Sequence, residues 1–125
     1  MHAQEFNELF QSCMPIFIAL GDEVRFSIIE GLARTGFYGK PENDVTNKDG
    51  LYIRPGQGMN VKEITEMTRL SRPAVSHHLK ILKEAGLVSV RQEGTANYYY
   101  LTIGDSTKKL CSLGQYLQQL LSQVS

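Results

Sequence analysis

Residues 60–101 read NVKEITEMTRLSRPAVSHHLKILKEAGLVSVRQEGTANYYYL, and this run decides the fold. Asn60 and Glu63 form a capping-box start with Asn in place of Ser or Thr. Val61, Ile64 and Met67 then give a short helix its buried face, to about Thr68. Arg69-Leu70 breaks the pattern. Ser71 caps the next helix, Pro73 is tolerated in its first turn, Val75, Leu79 and Leu82 line its core side, and Gly86 closes it. From Leu87 to Gln92 apolar and polar residues alternate, Gly94 turns, and Asn97 to Leu101 returns as a tyrosine-rich strand. A two-stranded hairpin is therefore predicted.

Two helices joined by a tight turn and followed by a hairpin are the order of a winged helix-turn-helix. Residues 60–86 would be the helix-turn-helix and 87–101 the wing, with the second helix entering the major groove of DNA. At 100° per residue, Ala74, Val75, His78, Leu79, Ile81, Leu82 and Ala85 gather on one side of that helix. Arg72, Pro73, Ser76, His77, Lys80 and Lys83 gather on the other, and only this second face can meet DNA. Ser71 would sit at the entering end. Ser76 and His77 are short enough to reach base edges, Arg72 can donate in a fork to guanine or phosphate, and Lys80 suits phosphate. The wing would add Arg91 and Asn97. His78 falls in the middle of the apolar arc, where a histidine usually packs and satisfies its ring nitrogens locally. In a strand Tyr98 and Tyr100 share one side and Tyr99 takes the other, so most of that aromatic area is expected in sheet packing.

Upstream, Phe6, Leu9, Phe10, Cys13 and Phe17 recur at helical spacing, and Pro15 is expected to kink the helix and open a second segment. Asp22 is a good N-cap for a further helix carrying Val24, Phe26, Ile28, Ile29 and Leu32 to about Arg34. Residues 35–59 hold five of the eleven glycines and two of the four prolines, which makes this a long glycine-rich insertion rather than a helix. Asp49-Gly50 before Leu51-Tyr52-Ile53 is a candidate hairpin turn within it. Downstream, Leu110, Leu113, Leu117, Leu120 and Val124 repeat in three-four spacing along one helix over 105–124, the spacing of a helix–helix seam.

The run Leu70 to Val88, with Ser71-Arg72-Pro73-Ala74-Val75-Ser76-His77-His78-Leu79 at its start, resembles the recognition-helix signature of the ArsR/SmtB family of bacterial repressors. Leu20-Gly21-Asp22-Glu23-Val24-Arg25 resembles the opening of that family's second helix, and Glu93-Gly94 through Tyr99 and Leu101 its wing. The likeness covers roughly residues 16–34 and 60–103. It implies a mainly α fold with a small β-hairpin wing, a homodimer joined through the N- and C-terminal helices, and a repressor released from its double-stranded operator by an inducer. Many members of the family bind metal through cysteines at the start of the helix before the recognition helix, or through Asp and His on the last helix. Asn60 and Lys62 stand at the first of these places, and no histidine follows His78. No metal and no cofactor are therefore expected. The insertion at 35–59 is longer than the family's usual connection.

The chain has 125 residues, 42% of them hydrophobic, enough for one domain, 1–125, with a core that needs no disulfide or structural metal. Its densest apolar stretch, Ile16 to Leu20, is far too short to cross a membrane. Met1 to Glu5 does not begin a secretory signal, so a cytoplasmic address is expected. Thirteen basic against thirteen acidic side chains argue against a protein that coats nucleic acid indiscriminately, yet permit a local basic face. Two cysteines, Cys13 and Cys111, read either as small buried hydrophobes or as a thiol sensor at the dimer seam, leaving a redox or small-molecule effector open. No nucleophile elbow, phosphate loop or paired metal-binding histidines suggest an enzyme. The rival to an operator-binding repressor is a winged-helix module that binds another protein.

Overall fold

The computed structural model of the chain describes residues 3–35 and 58–124. The elements run α1 (Ala3–Leu20), α2 (Glu23–Arg34), β1 (Met59–Asn60), α3 (Val61–Thr68), α4 (Arg72–Glu84), β2 (Val88–Glu93), β3 (Ala96–Leu101) and α5 (Gly104–Val124). The expected hairpin at Asp49-Gly50 lies outside the described residues.

The helix starts follow the side chains that cap them. The Asp22 carboxylate accepts from the Val24 and Arg25 backbone N–H groups at 2.9 and 3.1 Å. Asn60 Oδ1 accepts from Glu63 N at 2.8 Å while Glu63 Oε1 accepts from Asn60 N at 3.0 Å, so the capping box closes in both directions. Ser71 Oγ accepts from Ala74 N at 3.3 Å. At its far end α4 closes with Gly86 at φ 77°. There Gly86 N donates to Lys83 O and Leu87 N to Leu82 O, both at 3.0 Å, a Schellman turn that points the chain into β2.

The core gathers Ile16 and Ala19 from α1, Ile28 and Leu32 from α2, Ile64 from α3, and Val75, Leu79 and Leu82 from α4, with Leu87 and Val88 closing it. Each fully buried Ile or Leu contributes roughly 1.5–3 kcal/mol. A second apolar layer joins α1 to α5. Phe6 meets Tyr116 with ring centroids 5.0 Å apart, and the buried Cys13 thiol donates to Lys109 O at 3.5 Å.

Two expectations need correction. Pro15 lies inside α1, which runs as one helix to Leu20, so it does not open a second segment. The wing is not a two-stranded hairpin alone: β1 pairs antiparallel with β3 through Met59 opposite Tyr99 and Asn60 opposite Tyr98, giving the sheet order β1-β3-β2. Met59 therefore belongs to the sheet rather than to the insertion. On α2, Ile28 and Leu32 are buried in the core while Phe26 is 52% exposed.

Candidate nucleic-acid interface

Arg69, at φ 61°, terminates α3 in the left-handed region, and its N–H returns to Thr65 O at 2.7 Å. That turn reorients the chain so that Ser71 can start α4 within two residues. Val75, Leu79 and Leu82 then lock one side of α4 into the core. The other side is fixed by that burial as the exposed one: Arg72, Pro73, Ser76, His77, Lys80 and Lys83 all face solvent, as does Ser71. The face carries two short hydrogen-bonding side chains at its centre and positive charge at Arg72, Lys80 and Lys83, with no carboxylate among them. Such a surface can donate to base edges and neutralise phosphates.

In the wing, Arg91 on β2 lies opposite Tyr98 on β3, and Gln92 opposite Asn97. Asn97 is exposed. The Arg91 guanidinium sits over the Tyr98 and Tyr100 rings, 5.4 and 5.8 Å from their centroids, and its Nε donates to Glu93 Oε1 at 2.8 Å. Tyr99 points to the opposite side and packs against the core, the alternation expected of the three tyrosines. An open groove lined by Gly58, Asn60, Glu63, Arg91, Glu93 and Tyr98 separates the wing from the start of α3.

The two cysteines are both free but differ in environment: Cys13 is buried and Cys111 exposed. The reading of both as buried hydrophobes therefore fails for Cys111 within a single chain. Among the described residues no three His, Cys, Asp or Glu side chains come together as a metal-binding group. No helix among them is long and apolar enough to cross a membrane.

Arg25 is the residue that sequence reasoning left without a role. Its Nε donates to Ala19 O at 2.7 Å and its Nη2 to Ile18 O at 3.1 Å. Nη1 lies 3.2 Å from His78 Nδ1 and 3.9 Å from Asp22 Oδ2. His78 is half-buried, with its Nδ1 paired to Arg25. The only signal that could have found it is a lone arginine three residues after an N-cap Asp, on a helix that is otherwise apolar toward the core.

An HTH-type transcriptional regulator of Methanocaldococcus jannaschii is 33% identical over 106 residues, which span 85% of this chain and 94% of that protein. The family model described as bacterial regulatory protein, arsR family, matches residues 53–90. The chain belongs to the ArsR family. Its fold is shared by a solution structure from Mycobacterium bovis, described as a homodimeric winged helix-turn-helix DNA-binding domain and a possible ArsR-family transcriptional regulator. The two superimpose with a TM-score of 0.59 at 22% identity, over 100% of this chain and 94% of that one. The transcriptional repressor SdpR of Bacillus subtilis is 37% identical over 62 residues, 50% of this chain and 69% of that protein. In this ArsR-family transcriptional regulator the α3–α4 pair is followed in the chain by β2 and β3, with β1 completing the sheet.

Proposed function

We propose that this ArsR-family regulator is a homodimeric, sequence-specific DNA-binding repressor, with Ser71, Arg72, Pro73, Ser76, His77, Lys80, Arg91 and Asn97 forming its DNA surface. The observation that carries this reading is the solvent-facing side of α4, polar and basic along its length and held outward by burial of the opposite side. Ser76 and His77 read base edges in the major groove. Lys80, and Arg91 once it exchanges Glu93 for phosphate, position the duplex. Repression is supported by the likeness to SdpR.

Dimerisation is supported by apolar area that the chain leaves uncovered on its first and last helices: Phe10, Phe17 and Ile18 on α1, and Leu117, Leu120, Leu121 and Val124 on α5. An exposed cluster of this kind marks an interaction surface, and the M. bovis domain is described as homodimeric. Release from DNA is assigned to a signal other than a bound transition metal, either a small molecule or thiol chemistry at Cys13 and Cys111.

The test is a gel shift with the duplex upstream of the chain's own gene against an unrelated duplex. S76A/H77A should lose discrimination between the two while keeping weak non-specific binding. Removing Lys80 or Arg91 should weaken binding to both and reduce the salt slope by about 0.9 per lost phosphate contact. If the wild-type chain binds neither duplex at low salt, with and without reductant, the reading falls to a protein-binding winged helix. Elemental analysis of the purified protein should find no stoichiometric transition metal, and one tightly held ion per chain would refute the assignment of the signal.

A further inference from the structure

Three helices meet at one guanidinium. Arg25 is only 11% exposed, and its contacts reach the last turn of α1 through the Ile18 and Ala19 carbonyls. They also reach the cap of α2 through Asp22 and the middle of α4 through His78. The two carbonyls lie in the last turn of a helix, where four C=O groups have no partner within the helix and the dipole is negative, so a buried cation is well placed there. A guanidinium carries N–H donors and no acceptor. Nδ1 of His78 must therefore be the acceptor of the Arg25 contact, and the imidazole proton of the neutral ring resides on Nε2.

The other contacts of α4 do not do what this one does. Val75, Leu79 and Leu82 decide by burial which side of the helix faces the core, but burial is non-directional and does not by itself set the fine rotation about the helix axis. A hydrogen bond to a guanidinium is directional and stronger than one between neutral groups. His78 is also the neighbour of His77 on the exposed face, their ring centroids 5.8 Å apart. We propose that Arg25 is a positioning residue for DNA reading: by anchoring His78 to the end of α1, it fixes the rotation of α4 that aims Ser76 and His77 at base edges. This rests on the reading of α4 as the helix that enters the major groove.

The decisive pair of variants is His78→Leu and His78→Asn, in the full chain. Leucine removes the acceptor but suits a half-buried helical site; asparagine carries Oδ1 close to where Nδ1 stood. Each is measured against the duplex upstream of the chain's own gene and against an unrelated duplex, together with its thermal midpoint. H78L should lose about tenfold in affinity for the first duplex, as the rotation of α4 that aims Ser76 and His77 becomes a minor population. Its affinity for the unrelated duplex should stay near that of the wild type, while its thermal midpoint should fall by a few degrees because an Arg25 N–H loses its acceptor. H78N should recover most of the loss. Arg25→Lys should behave like H78L, since one ammonium cannot serve two carbonyls and His78 at once, and if that variant fails to fold the His78 pair still decides. Nitrogen-15 NMR of the wild-type imidazole should show the Nε2–H tautomer.

H78L discriminating like the wild type would overturn the proposal, as would H78N failing as badly as H78L, or an Nδ1–H tautomer at His78. If the wild type discriminates and H78L does too, only the positioning role of Arg25 falls. If the wild type binds neither duplex, the DNA-binding reading falls and takes this role with it.

Discussion

Asp22 receives two backbone N–H groups at the start of α2 and lies beside the Arg25 guanidinium. The hydrogen bond from Arg25 N does most to hold its carboxyl below the ordinary value of 3.8; the Val24 N–H, the Arg25 charge and His78 act in the same direction, and desolvation opposes them. A carboxyl whose pKa is depressed by folding contributes stability that is complete above its unfolded value and disappears as pH falls through the folded one. Asp22 should therefore add to acid unfolding below 3.8. Urea midpoints measured across that range should fall less steeply for D22N, which keeps a capping oxygen but does not titrate, than for the wild type. An identical acid slope in both would show that the site carries no proton linkage. As a cap, Asp22 was legible in the sequence, because an N-cap is defined by residues adjacent in the chain. The junction of its partner Arg25 with His78 was not: those two are 53 residues apart, and no local pattern encodes a meeting at that separation.

Two glycines test the packing between elements in opposite ways. A Cβ on Gly31, in α2, would come 2.5 Å from Met67 Sδ, but that sulfur is near the end of a flexible side chain on α3 that is itself partly exposed. Gly31→Ala should thus be tolerated, with the strain offset by up to about 1 kcal/mol of helix propensity. Gly58 has φ 78°, and a Cβ there would come 2.3 Å from the backbone oxygen of Tyr99. Neither the dihedral nor β3 can yield without breaking the β1–β3 pairing, so Gly58→Ala should cost more than about 2 kcal/mol in chemical denaturation. A G31A loss larger than that of G58A would contradict both arguments. The helices and the β2–β3 hairpin were readable because apolar spacing, caps and turn residues agree there. The two-residue β1 was not, since a strand of that length has no periodicity; it exists because Asn60 can cap α3 while its backbone lies beside Tyr98. The unbroken α1 was misread for a related reason, in that local proline chemistry was weighed without the burial of Cys13 before Pro15 and of Ile16 and Ala19 after it.

For the whole molecule, the apolar residues left open on α1 and α5 set the expected assembly. Leu121 is 70% exposed and Ile18 59% exposed, so Leu121→Glu should convert a dimer to a folded monomer in sedimentation, and a wild type that is monomeric at micromolar concentration would remove the dimer from the proposed function. Loss of the dimer should also weaken operator binding far more than any single side chain on α4, because two half-sites then no longer share one binding event. A different consequence follows from the two residues that bracket the long connection. Gly58 N donates to Thr35 Oγ1 at 3.0 Å, and the same hydroxyl donates to Leu32 O at 2.7 Å. The chain thus leaves α2 and re-enters the sheet at one point, like a cable through a grommet, with a single hydroxyl joining the two ends. Replacing residues 36–57 by a linker of about four residues should keep the fold and reduce loop-closure entropy by about 1.5 kcal/mol. The same point would serve as a port, at which a fluorescent tag or a second binding domain could be spliced into the regulator without displacing α4 from its seat.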